Sequence, residues 1–206
     1  MAEPATSRKR DQSEQSRERL IDAATRLFAE RGYRDASVQA IGEAAGISRG
    51  SIFWHFGSKE GLLWAVVQRA FARWEAETLV PAVGDARGEE AIGRALRAHR
   101  RFLADDEGTM RLLFVLMFEA LGPRPELTGE FARLHRNLRA LATPWLEEAA
   151  ARGELRADVD PRSIVTLIIG ALGGIVYQHL LDPEGLDLDR CYADLERVLD
   201  RGLAVA

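Results

Sequence analysis

The fold is decided by residues 37–63, which have the sequence SVQAIGEAAGISRGSIFWHFGSKEGLL. Two short helical patterns in this stretch are separated by the turn 46–48. The first pattern follows Ser37 and the second follows Ser48, and serine is a favoured residue at a helix N-cap. Gly57 then ends the second pattern. Two short helices joined by a tight, glycine-containing turn predict a helix-turn-helix.

The outer face of the second helix, residues 49–56, points to a function. Ile52 and Phe56 are spaced to face the core, so the other large side chains must face outward. Two exposed aromatic residues, Phe53 and Trp54, are unexpected on an idle surface of this size. We therefore predict that this helix enters the major groove of DNA.

Each outward residue has a chemistry that suits DNA. Arg49 can bind guanine, and Ser51 and Phe53 can contact thymine methyl groups or the backbone. Trp54 and His55 can donate to phosphates. The close approach that this requires is permitted by Gly50, and Lys59 beyond the helix is placed for a phosphate. Instead of binding DNA, Trp54 and His55 can pack between the two parts of the protein. The alternative role of Arg49 is that of a solvated surface charge.

The charge distribution agrees with this interpretation, although the whole chain of 206 residues has a formal charge of -4. Residues 1–60 contain ten Lys and Arg against nine Asp and Glu, whereas the remainder contains 18 against 23. No acidic residue occurs between Gly46 and Lys59. A local patch without acids matters more to a polyanion than the average charge does.

The rest of the chain shows helical periodicity interrupted by Gly, Pro and Asp, without the alternation of a sheet. We predict an all-α protein of about nine helices, three in a small head and six in a larger body. The predicted domains are a flexible basic arm at 1–15, a helix-turn-helix domain at 16–60 and a ligand-binding and dimerisation domain at 61–206. The predicted helices beyond the helix-turn-helix cover 16–31, 59–80, 89–105, 109–121, 126–152, 161–181 and 188–203.

The segment 41–62, with the sequence IGEAAGISRGSIFWHFGSKEGL, resembles the signature of the TetR (tetracycline-repressor) family. The match extends over roughly 17–65 and is gap-free. It implies a ligand-responsive, DNA-binding transcriptional regulator that acts as a homodimer, most often as a repressor. The DNA contacts that the resemblance implies fall on Ser37, Gln39, Arg49, Gly50, Ser51, Phe53, Trp54, His55 and Lys59. The family commonly has Tyr where this chain has Phe53, which puts a hydroxyl contact to phosphate there in doubt.

The apolar segment 161–181 predicts how two chains assemble. The stretch 164–181 is about long enough to span a membrane, but it contains Thr166, Gln178 and His179, and Asp182 and Glu184 follow it with no Lys or Arg, so we expect no membrane span. Gly170 and Gly174 lie four residues apart on one face, and residues 188–203 add a second apolar stripe. We predict a two-fold, four-helix interface formed by both helices of each chain. Its predicted residues are Gly170, Gly174, Tyr192, Leu195 and Leu199.

The body is rich in aromatic and methionine side chains, which adapt to a guest more readily than Leu, Ile and Val. We predict a small apolar effector, although each of these residues can instead belong to an ordinary core. His99 is the best polar candidate, because it lies on the apolar face of its helix. The predicted effector residues are Phe71, Trp74, His99, Met110, Phe114, Met117, Phe118, Trp145 and Tyr177.

No enzymatic constellation emerges from the sequence. The four histidines lack metal-ligand spacing, no glycine loop suits a phosphate, and Cys191 is the only cysteine. We expect no cofactor, no metal and no catalytic residue, and we expect a cytoplasmic protein because the charged N-terminus lacks a signal-like apolar run. The alternatives are an activator or a ligand-independent regulator of the same fold, and an all-helical enzyme or ligand carrier.

Overall fold

A computed structural model describes residues 5–123 and 125–203 of the chain. These described residues contain helices and no β-ladder. The helices are α1 (Ala5–Asp35), α2 (Val38–Ala45), α3 (Arg49–Phe56), α4 (Lys59–Trp74), a π-helical turn (Glu75–Leu79), α5 (Val80–Val83), α6 (Gly88–Asp105), α7 (Glu107–Ala120), α8 (Pro125–Ala151), α9 (Pro161–Leu181) and α10 (Leu188–Leu203). Because α4, the π-helical turn and α5 follow one another without a break, the described residues form nine separate helical segments. The all-α prediction is confirmed.

The chain divides into two compact units, residues 1–72 and 73–206, which we call the head and the body. We predicted the boundary at residue 60. It lies later because the first turns of α4 belong to the head. Leu63 and Val67 on α4 are fully buried, and Arg69 forms ion pairs of 3.3 and 2.6 Å with Glu18 and Asp22 of α1.

The first helix is longer at both ends than the sequence predicted. We expected a flexible arm at 1–15, but residues 5–15 are the start of α1; residues 1–4 lie outside the described residues. The polar residues of this stretch are mostly good helix formers, and between residues 5 and 31 no Gly or Pro interrupts them. Gly32 has a positive φ of 77°, yet helical turns resume after it and continue to Asp35.

The core of the head is small and apolar. Leu20, Ala24 and Phe28 from α1 are at most 2% exposed, and Ile41 from α2 and Ile52 from α3 are fully buried. These are the residues that helical spacing placed inward, with Phe56 as an exception because it is only partly buried. The small helices are thus fixed by few but completely buried contacts.

The body has a core cluster built from four helices. It includes Leu96 of α6, Leu146 of α8, Val165 and Ile168 of α9, and Tyr192 of α10. Helices α7 and α9 add further packing on one another and on α8. The result is a helical bundle in which long-range contacts join segments far apart in sequence.

Among the described residues one helix, α9, has the length and composition of a membrane-crossing helix. Only 22% of its most apolar window is buried within the chain, so most of this apolar window is left uncovered by its own subunit. Leu167 and Leu181 are 65% and 68% exposed. One face of α9 therefore packs on the body and another face is open.

Candidate DNA interface and effector-binding residues

Two serine caps define where α2 and α3 begin. The Ser37 hydroxyl accepts a hydrogen bond from the Ala40 amide at 3.0 Å, and the Ser48 hydroxyl accepts one from the Ser51 amide at 3.3 Å. Gly46 ends α2 in the left-handed conformation, with φ of 62°. Residues other than glycine rarely adopt that backbone conformation, so the turn favours glycine at position 46. The sequence-predicted helix-turn-helix is present with its predicted caps.

The turn also depends on a close approach of two backbone segments. A Cβ atom built on Gly42 would lie 2.8 Å from the carbonyl oxygen of Ile47. Any larger residue at position 42 would therefore push the turn away from α2. This glycine sets the angle at which α3 leaves the turn.

The exposed face of α3 carries the predicted DNA-binding side chains. Trp54 is 74% exposed and Phe53 is 44% exposed. Arg49 and Gly50 are exposed as well, whereas Ile52, on the inward side of the helix, is fully buried. Helical geometry thus separates an inward aliphatic residue from an outward face of aromatic and basic residues.

Two contacts order this outward face before any DNA is present. The Arg49 guanidinium carbon lies 5.7 Å from the centroid of the Phe53 ring. The hydroxyl groups of Ser48 and Ser51 lie 2.9 Å apart within hydrogen-bonding distance. Ser51 therefore contacts the cap of its own helix in the free protein.

Trp54 and His55 form a ring pair, with centroids 4.5 Å apart in an edge-on arrangement. Partial burial lowers the pKa of His55 below its usual 6.5, and the positive charge of Arg17 adds to this effect. The imidazole is therefore neutral at physiological pH. A neutral imidazole still donates one hydrogen bond, so His55 suits a phosphate as a donor and not as a cation.

Lys59 is tied to the end of α1. Its Nζ donates to the carbonyl oxygen of Tyr33 at 2.5 Å and to that of Arg34 at 3.3 Å, and it lies 4.5 Å from the Tyr33 ring centroid. Burial is the largest influence on the pKa of Lys59, and it lowers that pKa despite the nearby carboxylates of Glu60 and Asp35. Lys59 thus has a structural contact in addition to its predicted role at a phosphate.

The two predicted contacts at the start of α2 are both exposed. Ser37 uses its hydroxyl for the helix cap, and the Gln39 side chain donates to a Glu43 carboxylate oxygen at 3.0 Å. The sequence did not reveal a further support: Arg19 of α1 donates to the carbonyl of Ala45, the last residue of α2, at 2.5 Å. That contact joins residues 26 positions apart, and no local pattern signals it.

In the body, two predicted effector residues meet in a cluster of rings. Trp74, 7% exposed, lies edge-on to His99 at 5.9 Å between centroids. The Tyr192 ring stacks on His99 at 6.0 Å, and the Tyr192 hydroxyl lies 2.6 Å from His99 Nδ1. Burial lowers the pKa of His99 to about 4 and raises the pKa of Tyr192. We call Trp74, His99, Phe102 and Tyr192 the inner ring cluster, since Phe102 stacks on Trp74 at 5.4 Å.

A second ring cluster includes three other predicted effector residues. The Tyr177 ring centroid lies 5.9 Å from that of Phe114 and 5.8 Å from that of Phe118. Phe114 is buried, but Phe118 and Tyr177 are 53% and 39% exposed. The predicted effector set is therefore divided between an inner cluster and an outer one.

The remaining predicted effector residues occupy separate positions. Met110 is 2% exposed and Met117 is partly buried. Trp145 packs against the body core, and Phe71 lies in the head. Apolar character does not distinguish a core residue from a ligand-lining residue. The prediction from composition therefore put into one set residues that the structure does not bring together.

The predicted glycine face of α9 is open. A Cβ atom built on Gly170 or Gly174 would have no neighbour within 4 Å. The exposed residues Leu167, Tyr177 and Leu181 continue this stripe at helical spacing. We call these five residues the α9 open face.

The predicted contribution of α10 to a dimer interface needs correction. Tyr192 is 5% exposed within the body core, where it is hydrogen-bonded to His99, so it is not available to a partner. Leu195 and Leu199 pack partly against the same core. Val198 is the large apolar residue of α10 that faces outward, with 66% exposure.

Comparison with known proteins places these features in a family. Residues 20–66 match the model of bacterial regulatory proteins of the tetR family. Residues 88–204, more than half of the chain, match the model of the C-terminal domain of BetI-type transcriptional repressors. The two matches fall on the helix-turn-helix and on the body.

Individual relatives agree with the family models. The chain is 26% identical over 200 residues to the HTH-type transcriptional regulator AcrR of Shigella flexneri, covering 92% of this chain and 90% of AcrR. It is 46% identical over 63 residues to the HTH-type transcriptional repressor AcnR of Corynebacterium glutamicum, which is 31% of this chain and 34% of AcnR.

A solved structure supports the fold. The fatty acid degradation regulator FadR from Bacillus halodurans aligns with a TM-score of 0.71 at 26% identity, covering 90% of this chain and 98% of FadR. The capped helix-turn-helix, the exposed face of α3 and the helical body are thus parts of one known architecture, and the chain belongs to the TetR family of helix-turn-helix transcriptional regulators.

Proposed function

We propose that this protein is a homodimeric repressor that binds operator DNA through α3 and leaves it when a small apolar effector binds the body. The observation that carries the DNA-binding part is the exposed face of α3. A tryptophan that is 74% exposed lies beside a phenylalanine and an arginine that has no acidic partner among the described residues, and this exposed apolar and cationic surface has no evident structural role. A major groove offers contacts for each of these groups.

The proposed DNA contacts are the nine residues at the start of α2, on α3 and at the start of α4. Arg49 supplies the base contact, whereas Ser37, Ser51, Trp54 and His55 suit the sugar-phosphate backbone. Phosphate contacts hold the orientation of the protein, and base contacts give sequence preference. A relative supports the repressor role, since AcnR, which is 46% identical over 63 residues, is itself named a transcriptional repressor.

Dimerisation is proposed through the α9 open face together with Val198 of α10. An apolar stripe of this kind is costly in water, and two glycines spaced by four permit another helix to approach closely. A two-fold partner would present the same stripe, which makes the contact self-complementary. A dimer also gives two recognition helices, which must be about 34–36 Å apart to enter successive major grooves.

The effector is proposed to be small, apolar and uncharged. The inner ring cluster carries no charge at neutral pH, because burial keeps His99 neutral and Tyr192 protonated. His99 and Tyr192 are hydrogen-bonded to each other and the Trp74 indole nitrogen donates to the Ala98 carbonyl oxygen, so a charged guest would be desolvated without a counter-ion. The similarity to FadR, a fatty acid degradation regulator, is consistent with an apolar guest.

The mechanism requires no covalent chemistry, and we propose that the protein is not an enzyme and acts in the cytoplasm. An effector that binds better to a conformation unsuited to DNA shifts the population away from the operator. An activator of the same fold would use the same head. The two differ in whether DNA occupancy lowers or raises transcription of the neighbouring gene.

The DNA-binding part is tested by selection of bound sequences from random duplex DNA. We expect enrichment of a two-fold symmetric sequence, with half-sites about one helical turn apart. Affinity for the selected duplex should fall steeply with salt, because phosphate contacts release counter-ions. Recovery of no preferred sequence by the intact dimer would contradict the proposal.

The effector part is tested by a thermal-shift screen of apolar compounds, followed by a DNA-release assay. A compound that binds the folded protein stabilises it by about 2.7 kcal/mol at a hundredfold excess over its dissociation constant. Phe114→Ala, at the buried end of the outer ring cluster, should weaken that effect and leave DNA affinity near normal. If only strongly anionic or sugar-like compounds stabilised the protein and released DNA, the apolar effector would be ruled out.

A further inference from the structure

Arg49 and Phe53 are paired on the exposed face of α3. They are four residues apart, so they lie one helical turn from each other on the same side of the helix. The guanidinium carbon is 5.7 Å from the ring centroid, within the range of a cation–π contact. The phenylalanine ring is 44% exposed, so the pair lies at the surface that would meet DNA.

Arg49 has no acidic partner among the described residues, in contrast to many arginines of this chain. Arg69, for example, binds Glu18 and Asp22 within the head. The aromatic ring is thus the contact that orients Arg49, and its positive charge is not neutralised. An arginine held in this way keeps its donor groups available along the edge of the guanidinium plane.

We propose that Phe53 is a positioning residue that holds Arg49 in the orientation for bidentate hydrogen bonding to a guanine in the major groove. This inference rests on the proposed DNA-binding function and deepens it, since it names the base and the residue that prepares its contact. The planar guanidinium binds O6 and N7 of guanine through two donors. A flexible arginine loses rotamer freedom on binding, and the ring reduces that loss by holding the side chain beforehand.

The chemistry of residue 53 favours this role over a backbone contact. A phenyl ring has no hydroxyl group to donate to a phosphate, so it has no hydrogen bond to offer the DNA backbone. Its face attracts a cation, and Arg49 is the cation that lies against it. The competing role is a direct apolar contact between Phe53 and a thymine methyl group, which the test below distinguishes.

The test is a double-mutant cycle with Arg49→Ala, Phe53→Leu and the double variant, measured on the selected operator and on operators with single base-pair changes. Leucine keeps the apolar character of residue 53 and removes the cation–π contact. We expect Phe53→Leu to weaken operator binding about two- to fivefold, the range of an exposed cation–π contact. Discrimination should fall at the same base pair that Arg49→Ala affects, and Phe53→Leu should have no further effect once Arg49 is absent.

Matched variants make the outcome specific. Phe53→Tyr keeps the ring and should retain base discrimination. Trp54→Leu removes a neighbouring aromatic residue, and its fold-change in operator affinity should multiply with that of Arg49→Ala. The inference is overturned if the effects of Phe53→Leu and Arg49→Ala multiply, or if Phe53→Leu changes preference at a different base pair. A wild-type protein that selects no DNA sequence would refute the proposed function itself, which is a separate result.

Discussion

The outer face of α3 in the head and the inner ring cluster in the body place their aromatic side chains in opposite ways. On α3 the largest side chain, Trp54, is 74% exposed, whereas Trp74 at the end of α4 is 7% exposed and surrounded by rings. The outer face of α3 leaves the Arg49 charge without an acidic partner among the described residues, whereas the inner ring cluster pairs its polar groups inside, as in the hydrogen bond between His99 and Tyr192. Groups that the fold leaves unpaired need an outside partner, and groups that it pairs first stabilise the fold itself.

This difference explains why the two regions are unequal guides to function. The kind of partner that the head binds can be inferred from a few exposed residues. An exposed arginine and exposed rings that do not pack into the core suit a nucleic acid. The partner of the body does not follow in the same way, since each buried ring already contributes to stability. The predictions below change one side of this comparison at a time, beginning with the largest expected effect.

The largest effect is expected from Gly174→Arg on the α9 open face. A Cβ atom at Gly174 has open space within the chain, so the subunit should fold, while the arginine blocks a second subunit. Loss of the dimer removes the second half-site contact, which should lower operator affinity by about 10²- to 10⁴-fold. Sedimentation and gel-shift measurements would show both changes.

The matched control is Gly129→Arg on α8, which is also a helical glycine with open space around its Cβ position. It should remain a dimer with normal operator affinity. A Gly174→Arg protein that is still dimeric and still binds the operator would exclude the α9 open face as the interface. If both variants were equally impaired, the effect would come from arginine in a helix and not from the interface.

The inner ring cluster should make the stability of the body depend on pH. Burial lowers the pKa of His99 to about 4, against about 6.5 in the unfolded chain. Below pH 6.5 the unfolded chain therefore takes up a proton that the folded protein refuses. The free energy of unfolding should decrease as pH falls from 6.5 to 4, by on the order of 3 kcal/mol.

Denaturant titrations at several pH values measure this dependence. His99→Gln keeps a polar group near Tyr192 but does not titrate, so it should flatten the decrease. His135→Gln is the matched control: the His135 ring nitrogen contacts only the Phe131 carbonyl of its own helix among the described residues. An unchanged pH dependence in His99→Gln would show that the pair does not exclude the proton.

The smallest effect is expected from Lys59→Met. Methionine keeps an apolar chain against Tyr33 and removes the ammonium group that donates to the end of α1. Affinity should fall severalfold for all duplex sequences alike, and the dependence on log salt should decrease by about one unit, as for one lost phosphate contact. A normal salt dependence with lower head stability would assign Lys59 to structure alone.

The helix-turn-helix could be predicted from the sequence because its determinants are local. Ser37 and Ser48 cap their helices within three residues, and Gly46 takes the left-handed conformation where the turn needs it. The alternation of Ile52 with exposed neighbours follows directly from helical periodicity. Local rules were therefore sufficient to place Arg49 and Trp54 on the outer face.

The body was less predictable because its determinants are distant in sequence. The contact between His99 and Tyr192 joins residues 93 positions apart. Periodicity identified an apolar stripe on α10 but did not decide whether Tyr192 faces its own core or a partner. Similarly, the start of α1 depends on weak propensities of charged residues, and no cap or breaker near residue 15 marks it.

The central claim, that the exposed face of α3 binds DNA, is tested most directly by acrylamide quenching of tryptophan fluorescence. Among the four tryptophans, Trp54 is 74% exposed, Trp64 and Trp74 are 8% and 7% exposed, and Trp145 is partly buried. Trp54 should therefore supply most of the quenchable signal in the free protein, and Trp54→Phe should lack it. We predict that saturating operator DNA protects this signal in the wild-type protein and changes little in Trp54→Phe. Unaltered quenching of Trp54 in a fully DNA-bound protein would contradict the account.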